Sequence, residues 1–164
     1  MNQLILSFVS PDRPGLVDTL SDIVHQHHGN WQTSSLHHLS GFFAGVVEIA
    51  VTEEQTQSLI DKIQSIPNVK CIIEQTAQHA GTRASLVLEL TANDRSGIVR
   101  DISSVIHQQG GNLLKLVSAH EGAAHSGVEL FKAKASIDVA ESNIDDLITA
   151  LEATADDLMV DISR

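Results

Sequence analysis

Two short segments carry residues whose types and spacing suit ligand chemistry. Asp12-Arg13-Pro14-Gly15-Leu16-Val17 recurs as Asp94-Arg95-Ser96-Gly97-Ile98-Val99, 82 positions later. Each lies where an apolar run gives way to a helical stripe, so it marks a strand-to-helix junction. Free backbone N–H groups at a helix start attract a carboxylate through hydrogen bonds and the helix dipole. Asn30 and Asn112, just ahead of the next strand in each copy, could add an amide that accepts from an amino group. The plain structural alternative is that Asp12 and Asp94 cap their helices, Pro14 occupies a first turn, and each Gly-Asn pair ends a helix. Gly15 and Gly97 cost roughly 0.5–1 kcal/mol each against alanine if fully helical. A glycine there makes sense if a ligand or another backbone approaches closely.

Other reactive residues carry weaker signals. The chain has nine histidines, with His25, His27, His28 and the pair His37-His38 the most clustered. His37 and His38 are neighbours on an expected strand, so they point to opposite faces and cannot readily share an ion. His25 and His28 are three apart near a helix end, where a histidine also complements the dipole. No cysteine pair and no HExxH spacing accompanies them, and no metal site is expected. Cys71 falls among Val69, Ile72 and Ile73 on an expected strand, where a buried structural thiol is the usual case. Asp145-Asp146 and Asp156-Asp157 read as solvated faces rather than acid–base pairs. With no GxSxG, P-loop or dinucleotide fingerprint, nothing proposes an enzyme or a cofactor.

The elements that must position these residues come twice. The 82-residue offset also carries Gly29-Asn30 onto Gly111-Asn112, Leu4 and Leu6 onto Leu86 and Leu88, and Gly45-Val46 onto Gly127-Val128. Several matches at one spacing indicate a duplication. In the first copy, Gln3 to Val9 reads as a buried strand. Apolar residues at 16, 17, 20, 23 and 24 then form a helical stripe, with Gly29 suited to the left-handed position after it. The second copy repeats the stripe with Ile98, Ile102, Val105 and Ile106, stopping at Gly110-Gly111. Trp31 to Leu39 and Phe42 to Val51 flank Ser40-Gly41 as a hairpin.

Thr52 and Gln55 have capping-box spacing ahead of a stripe at Leu59, Ile60, Ile63 and Ile66, broken by Pro67-Asn68. Val69 to Thr76 closes the copy. Ile144, Leu147, Ile148 and Leu151 give the second copy's last helix, and Leu158, Val160 and Ile162 alternate as its closing strand. The order is βαββαβ. The expected class is α+β, with two ferredoxin-like modules at 1–76 and 85–164 joined by a linker at 77–84. Each is expected to be a four-stranded antiparallel sheet with helices on one face.

Composition bounds the function. Ten basic against 21 acidic residues leave a net charge of −11. Such a surface repels a phosphate backbone, so direct nucleic-acid binding is disfavoured. Cys71 is the one cysteine, so no intrachain disulfide can form and a reducing compartment is the simpler expectation. No basic segment precedes the first apolar run, and no apolar stretch approaches the roughly 20 residues of a spanning helix. A cytoplasmic protein without membrane association is expected.

The two Asp-Arg-x-Gly segments, the Gly-Asn pairs and the element order resemble the ACT domain, a ligand-binding module of amino-acid metabolism, over nearly the whole chain. Two such copies with no attached enzyme resemble the glycine cleavage system transcriptional repressors. The resemblance implies a non-enzymatic regulator that binds a small amino acid, with glycine the first candidate. It implies indirect repression through a LysR-type activator that itself binds DNA. The implied ligand site is Asp12, Arg13, Pro14, Gly15 and Leu16 with Asn30, and Asp94, Arg95, Ser96, Gly97 and Ile98 with Asn112. Ser96 replaces the proline in the second copy, so the two sites need not be occupied equally. The alternative is a ligand-free protein–protein assembly module. Edge strands of these sheets could pair between chains, which makes a homodimer a candidate assembly.

Overall fold

In the computed structural model, residues 1–79, 81–122 and 127–163 are described, and the chain divides into two compact units, Met1–Ala80 and Gly81–Arg164. The first runs β1 (Asn2–Pro11), α1 (Leu16–Gln26), β2 (Asn30–Leu39), β3 (Phe42–Val51), α2 (Glu53–Gln64) and β4 (Lys70–Ala77). The second runs β5 (Leu86–Asn93), α3 (Ile98–Gln108), β6 (Asn112–Gly122), β7 (Glu129–Asp138), α4 (Ile144–Glu152) and β8 (Met159–Ile162). A short 3-10 turn, Glu141–Asn143, leads into α4. The strand orders are β2-β3-β1-β4 and β6-β7-β5-β8, antiparallel throughout. Both units are therefore βαββαβ modules of the ferredoxin-like kind.

Alternation along the first strand of each unit shows which sheet face is covered. Leu4, Leu6, Phe8 and Ser10 are buried, as are Leu86, Leu88, Leu90 and Ala92. Ile5 and Val9 lie on the other face and are exposed. β1 is thus half-buried, not the fully buried strand its apolar run suggests, because the helices cover one face only. Leu16, Leu20, Ile23 and Val24 of α1 and Leu59 and Ile63 of α2 complete the first core. Ile98, Ile102 and Ile106 of α3 and Leu147 and Leu151 of α4 complete the second. At the far end of β8, Ile162 is 54% exposed, so the alternation from Leu158 buries less than the sequence suggests.

The turns correct several sequence expectations. Ser40 and Gly41 both have positive φ, as a two-residue hairpin on a right-twisted ribbon requires. After α1 the left-handed residue is His28, φ 55°, and after α3 it is Gly110, φ 77°. Gly29 and Gly111 are instead sites of close approach. A β-carbon on either would sit 3.0 Å from the side chain of Val24 or Ile106. Thr52 is the N-cap of α2, but no side chain bonds there. Its carbonyl accepts from the Thr56 hydroxyl at 2.8 Å.

The repeat offset also changes within the second hairpin. Pro11 pairs with Phe42 and Asn93 with Leu130, so β3 and β7 correspond at 88 positions rather than 82. Gly45-Val46 therefore matches Ala133-Lys134, not Gly127-Val128. The β6–β7 connection has six residues, four more than Ser40-Gly41, and the pair Gly122–Glu129 extends the two strands by one residue each.

Leu20 is completely buried, and truncating it leaves a cavity. Leu20→Ala should lower stability by about 2–5 kcal/mol. Urea unfolding followed through Trp31, the single tryptophan, measures this. A loss below about 0.5 kcal/mol, the usual range of surface changes, would contradict the packing described.

Candidate functional site

The strand-to-helix junctions are built alike in the two units. β1 ends at Pro11, and the Asp12 N–H donates to the Gly41 carbonyl at 3.0 Å. β5 ends at Asn93, and the Asp94 N–H donates to the Glu129 carbonyl at 2.9 Å. The chain then turns through Gly15, φ 82°, or Gly97, φ 84°, each the N-cap residue of its helix. Their carbonyls accept the first helical bonds, from Thr19 N–H at 2.9 Å and Asp101 N–H at 3.0 Å. Nothing lies within 4 Å of a β-carbon built on either glycine. The positive φ, not a close neighbour, is what requires glycine.

This geometry overturns the expected caps. No side chain caps α1 or α3. The aspartates turn toward the adjacent hairpin instead. Asp12 Oδ2 lies 3.4 Å from His38 Nε2, and Asp94 Oδ1 lies 3.5 Å from His120 Nε2. His38 and His120 are 82 positions apart, so the repeat carries the whole Asp–His pair. The adjacency of His37 and His38 masks the pair in the sequence, and only the 82-residue offset, which relates His38 to His120, reveals it. Ion pairs this exposed are worth about 0–1 kcal/mol. They orient the aspartates without holding the fold together.

A solvent-open recess adjoins each junction. The first, about 180 Å³, is lined by Asp12, Arg13, Gly15, the first turn of α1 and Phe43. The second, about 340 Å³, is lined by residues 94–100 with Ser118, His120 and Phe131. Against about 30 Å³ per liquid water, each has room for a molecule of a few heavy atoms. Uncapped N–H groups at a helix start can take a carboxylate, and the nearby aspartate can take an ammonium group. A third recess, about 390 Å³, lies on the second sheet between Thr91, Val117 and Lys132 and shares Ser118 with the second.

The remaining candidate residues divide. Arg13 donates to the Pro67 carbonyl at 3.1 Å, tying its loop to the turn before β4. Arg95 instead pairs with Asp101 at 2.8 Å. Pro14 and Ser96 sit within the turns before the N-cap glycines. Leu16 and Ile98 are core side chains, 3% and 6% exposed, so only their backbones can serve a ligand. Asn30 and Asn112 are not brought to the junctions. Asn30 pairs with Ala50, which pairs with Gln3. That places it some eight strand residues, about 26 Å, from Pro11. Asn112 pairs with Asp138, at the same far end of the second sheet.

The other reactive groups lie elsewhere. His27 Nδ1 is 2.7 Å from the Ile23 carbonyl, closing the end of α1. His37 Nε2 is 3.2 Å from the Ser35 hydroxyl. Cys71 is half-buried opposite Phe8, and desolvation pushes its thiol above the ordinary value. A raised thiol is a poor nucleophile at neutral pH. Asp157 accepts from the Asn93 N–H at 2.7 Å, pinning the end of β5.

No protein-family model and no curated protein matches the sequence. Solved structures do match it. A protein of unknown function from Galdieria sulphuraria aligns over the full length of both chains, at 20% identity and a TM-score of 0.77. A candidate glycine cleavage system transcriptional repressor aligns over 99% of this chain and 96% of its own, at 15% identity and a TM-score of 0.71. The chain has the tandem ACT-domain fold. At these identities the likeness establishes architecture alone. Among the described residues, no helix is long and apolar enough to cross a membrane.

Alanine at Gly15 or Gly97 would hold an L-residue in the left-handed region. Each substitution should destabilise by about 1–2 kcal/mol, while Gly81→Ala, in open space with no positive φ, should be neutral. Chemical denaturation of the three variants checks this, and equal stability of all three would contradict the junction geometry.

Proposed function

We propose that this protein is a non-enzymatic, amino-acid-responsive regulator that binds a small amino acid at its strand-to-helix junctions. The observation that carries the reading is the pairing, twice over, of an uncapped helix start with an aspartate turned away from it. An α-amino acid presents the complementary charges. Its carboxylate meets the N–H groups of the first turn, and its ammonium meets Asp12 or Asp94. Phe43 and Phe131 flank a space suited to a small side chain, which favours glycine, alanine or serine.

Asn30 and Asn112 lie a strand length from the junction of their own unit. In this reading they take no part in binding at that junction. We take 1–76 and 85–164, joined by the linker at 77–84, as the two modules, each with its own junction.

The regulatory output follows from charge. A net −11 disfavours direct DNA contact, and the resemblance to glycine cleavage repressors implies an indirect repressor of that system, acting in the cytoplasm through a DNA-binding partner of the LysR type. Its fold-level likeness to a candidate repressor of that system supports this assignment. Ligand changes the affinity for the partner by binding two states unequally.

Isothermal titration of the untagged protein with glycine, serine and alanine tests the proposal. Saturable binding is expected for at least one of them. It should weaken by about tenfold or more in Asp12→Ala or Asp94→Ala, as loss of a charge-assisted hydrogen bond of about 1.5–3 kcal/mol predicts. Absence of saturable binding across the panel would overturn the sensor reading and leave an assembly module.

A further inference from the structure

The two Asp–His pairs differ in what stands beside them. In the first unit the Asp12 N–H is held by Gly41, which has no side chain. In the second the corresponding carbonyl belongs to Glu129. Glu129 owes its place to the longer β6–β7 connection. It opens β7, pairs with Gly122, and is fixed again by the bond from Asp94. One ligand-capable atom from each of Asp94, His120 and Glu129 lies within 4.8 Å of the other two.

We propose that Asp94, His120 and Glu129 form a binding site for a divalent first-row transition-metal ion, with Zn²⁺ the fitting probe. The donor set is one imidazole nitrogen and two carboxylates. That mixture suits a borderline cation better than Ca²⁺, which takes oxygen, or a thiol-seeking ion. Two carboxylates this close repel each other, and a dication removes the repulsion. Bonds of about 2.0–2.2 Å require the donor atoms to draw closer together. His120 and Glu129 are exposed, while Asp94 is the more buried member, its side chain 23% exposed. Three protein ligands leave a coordination position open toward the second recess, which Asp94 and His120 also line.

The competing account is a surface Asp–His ion pair with Glu129 a bystander. The first unit supplies the internal control, because among the described residues Asp12 and His38 form that pair without a third acidic ligand. The inference does not rest on the amino-acid reading, since the ion is titrated alone.

The experiment is calorimetric titration of Zn²⁺ into the untagged full chain and into His120→Ala, Glu129→Gln and His38→Ala, with circular dichroism confirming that each is folded. The wild type is expected to bind one ion at this site. His120→Ala and Glu129→Gln should weaken it by at least the roughly 10–100-fold that loss of an outer-shell partner costs a metal site, while His38→Ala should leave it unchanged. No binding by the wild type, or binding that His120→Ala and Glu129→Gln leave intact, would overturn the proposal.

Discussion

Both halves of this molecule turn on a residue that must leave its first strand and enter its first helix through the left-handed region. Gly15 and Gly97 do this at φ 82° and 84°, a conformation that costs other L-residues about 1–2 kcal/mol. The aspartate three residues earlier is then not the helix cap. Its N–H is tied to the neighbouring hairpin, its carboxylate turns to a histidine on that hairpin, and the helix start is left without a side-chain partner. A capped helix would be more stable by about 1 kcal/mol. That the same omission occurs in both copies ties it to the shared junction geometry rather than to one local accident.

The copies have diverged around this common frame. The first arginine braces its loop against the turn before β4, while the second folds back onto its own helix. The first hairpin closes in two residues, whereas the second takes six and brings a glutamate to the Asp–His pair. Differences confined to loops leave the cores intact, because each core is built from the covered sheet face and two helices. A loop can therefore change in one unit without altering the architecture of either.

Much of the architecture was legible in the sequence because hydrophobic periodicity and turn residues act locally. Phe42 to Val51 matches β3 at both ends, and Ser40-Gly41 matches the hairpin. The element order already implied helices on one face of each sheet, but the run Leu4 to Phe8 alone did not display it, since Ile5 on the open face is as apolar as Leu4 and Leu6 on the covered one. The fate of Asp12 was illegible for another reason. Capping and non-capping aspartates occupy the same sequence position, and the choice depends on φ of a residue three places away. The Asp–His pairs were recoverable, since His38 and His120 obey the repeat. Glu129 was not, because the changed hairpin length moves it out of register with the first copy. The separation of Asn30 from its junction follows from strand pairing, which the sequence does not display.

The most direct test of the central claim is an amide-resolved NMR titration of the labelled protein with glycine, followed at the first helical turns. The account predicts saturable shifts concentrated at the N–H groups of Leu16, Val17 and Asp18, at those of Val99 and Arg100, or at both sets. Saturable shifts centred elsewhere, with these amides unmoved, would contradict it.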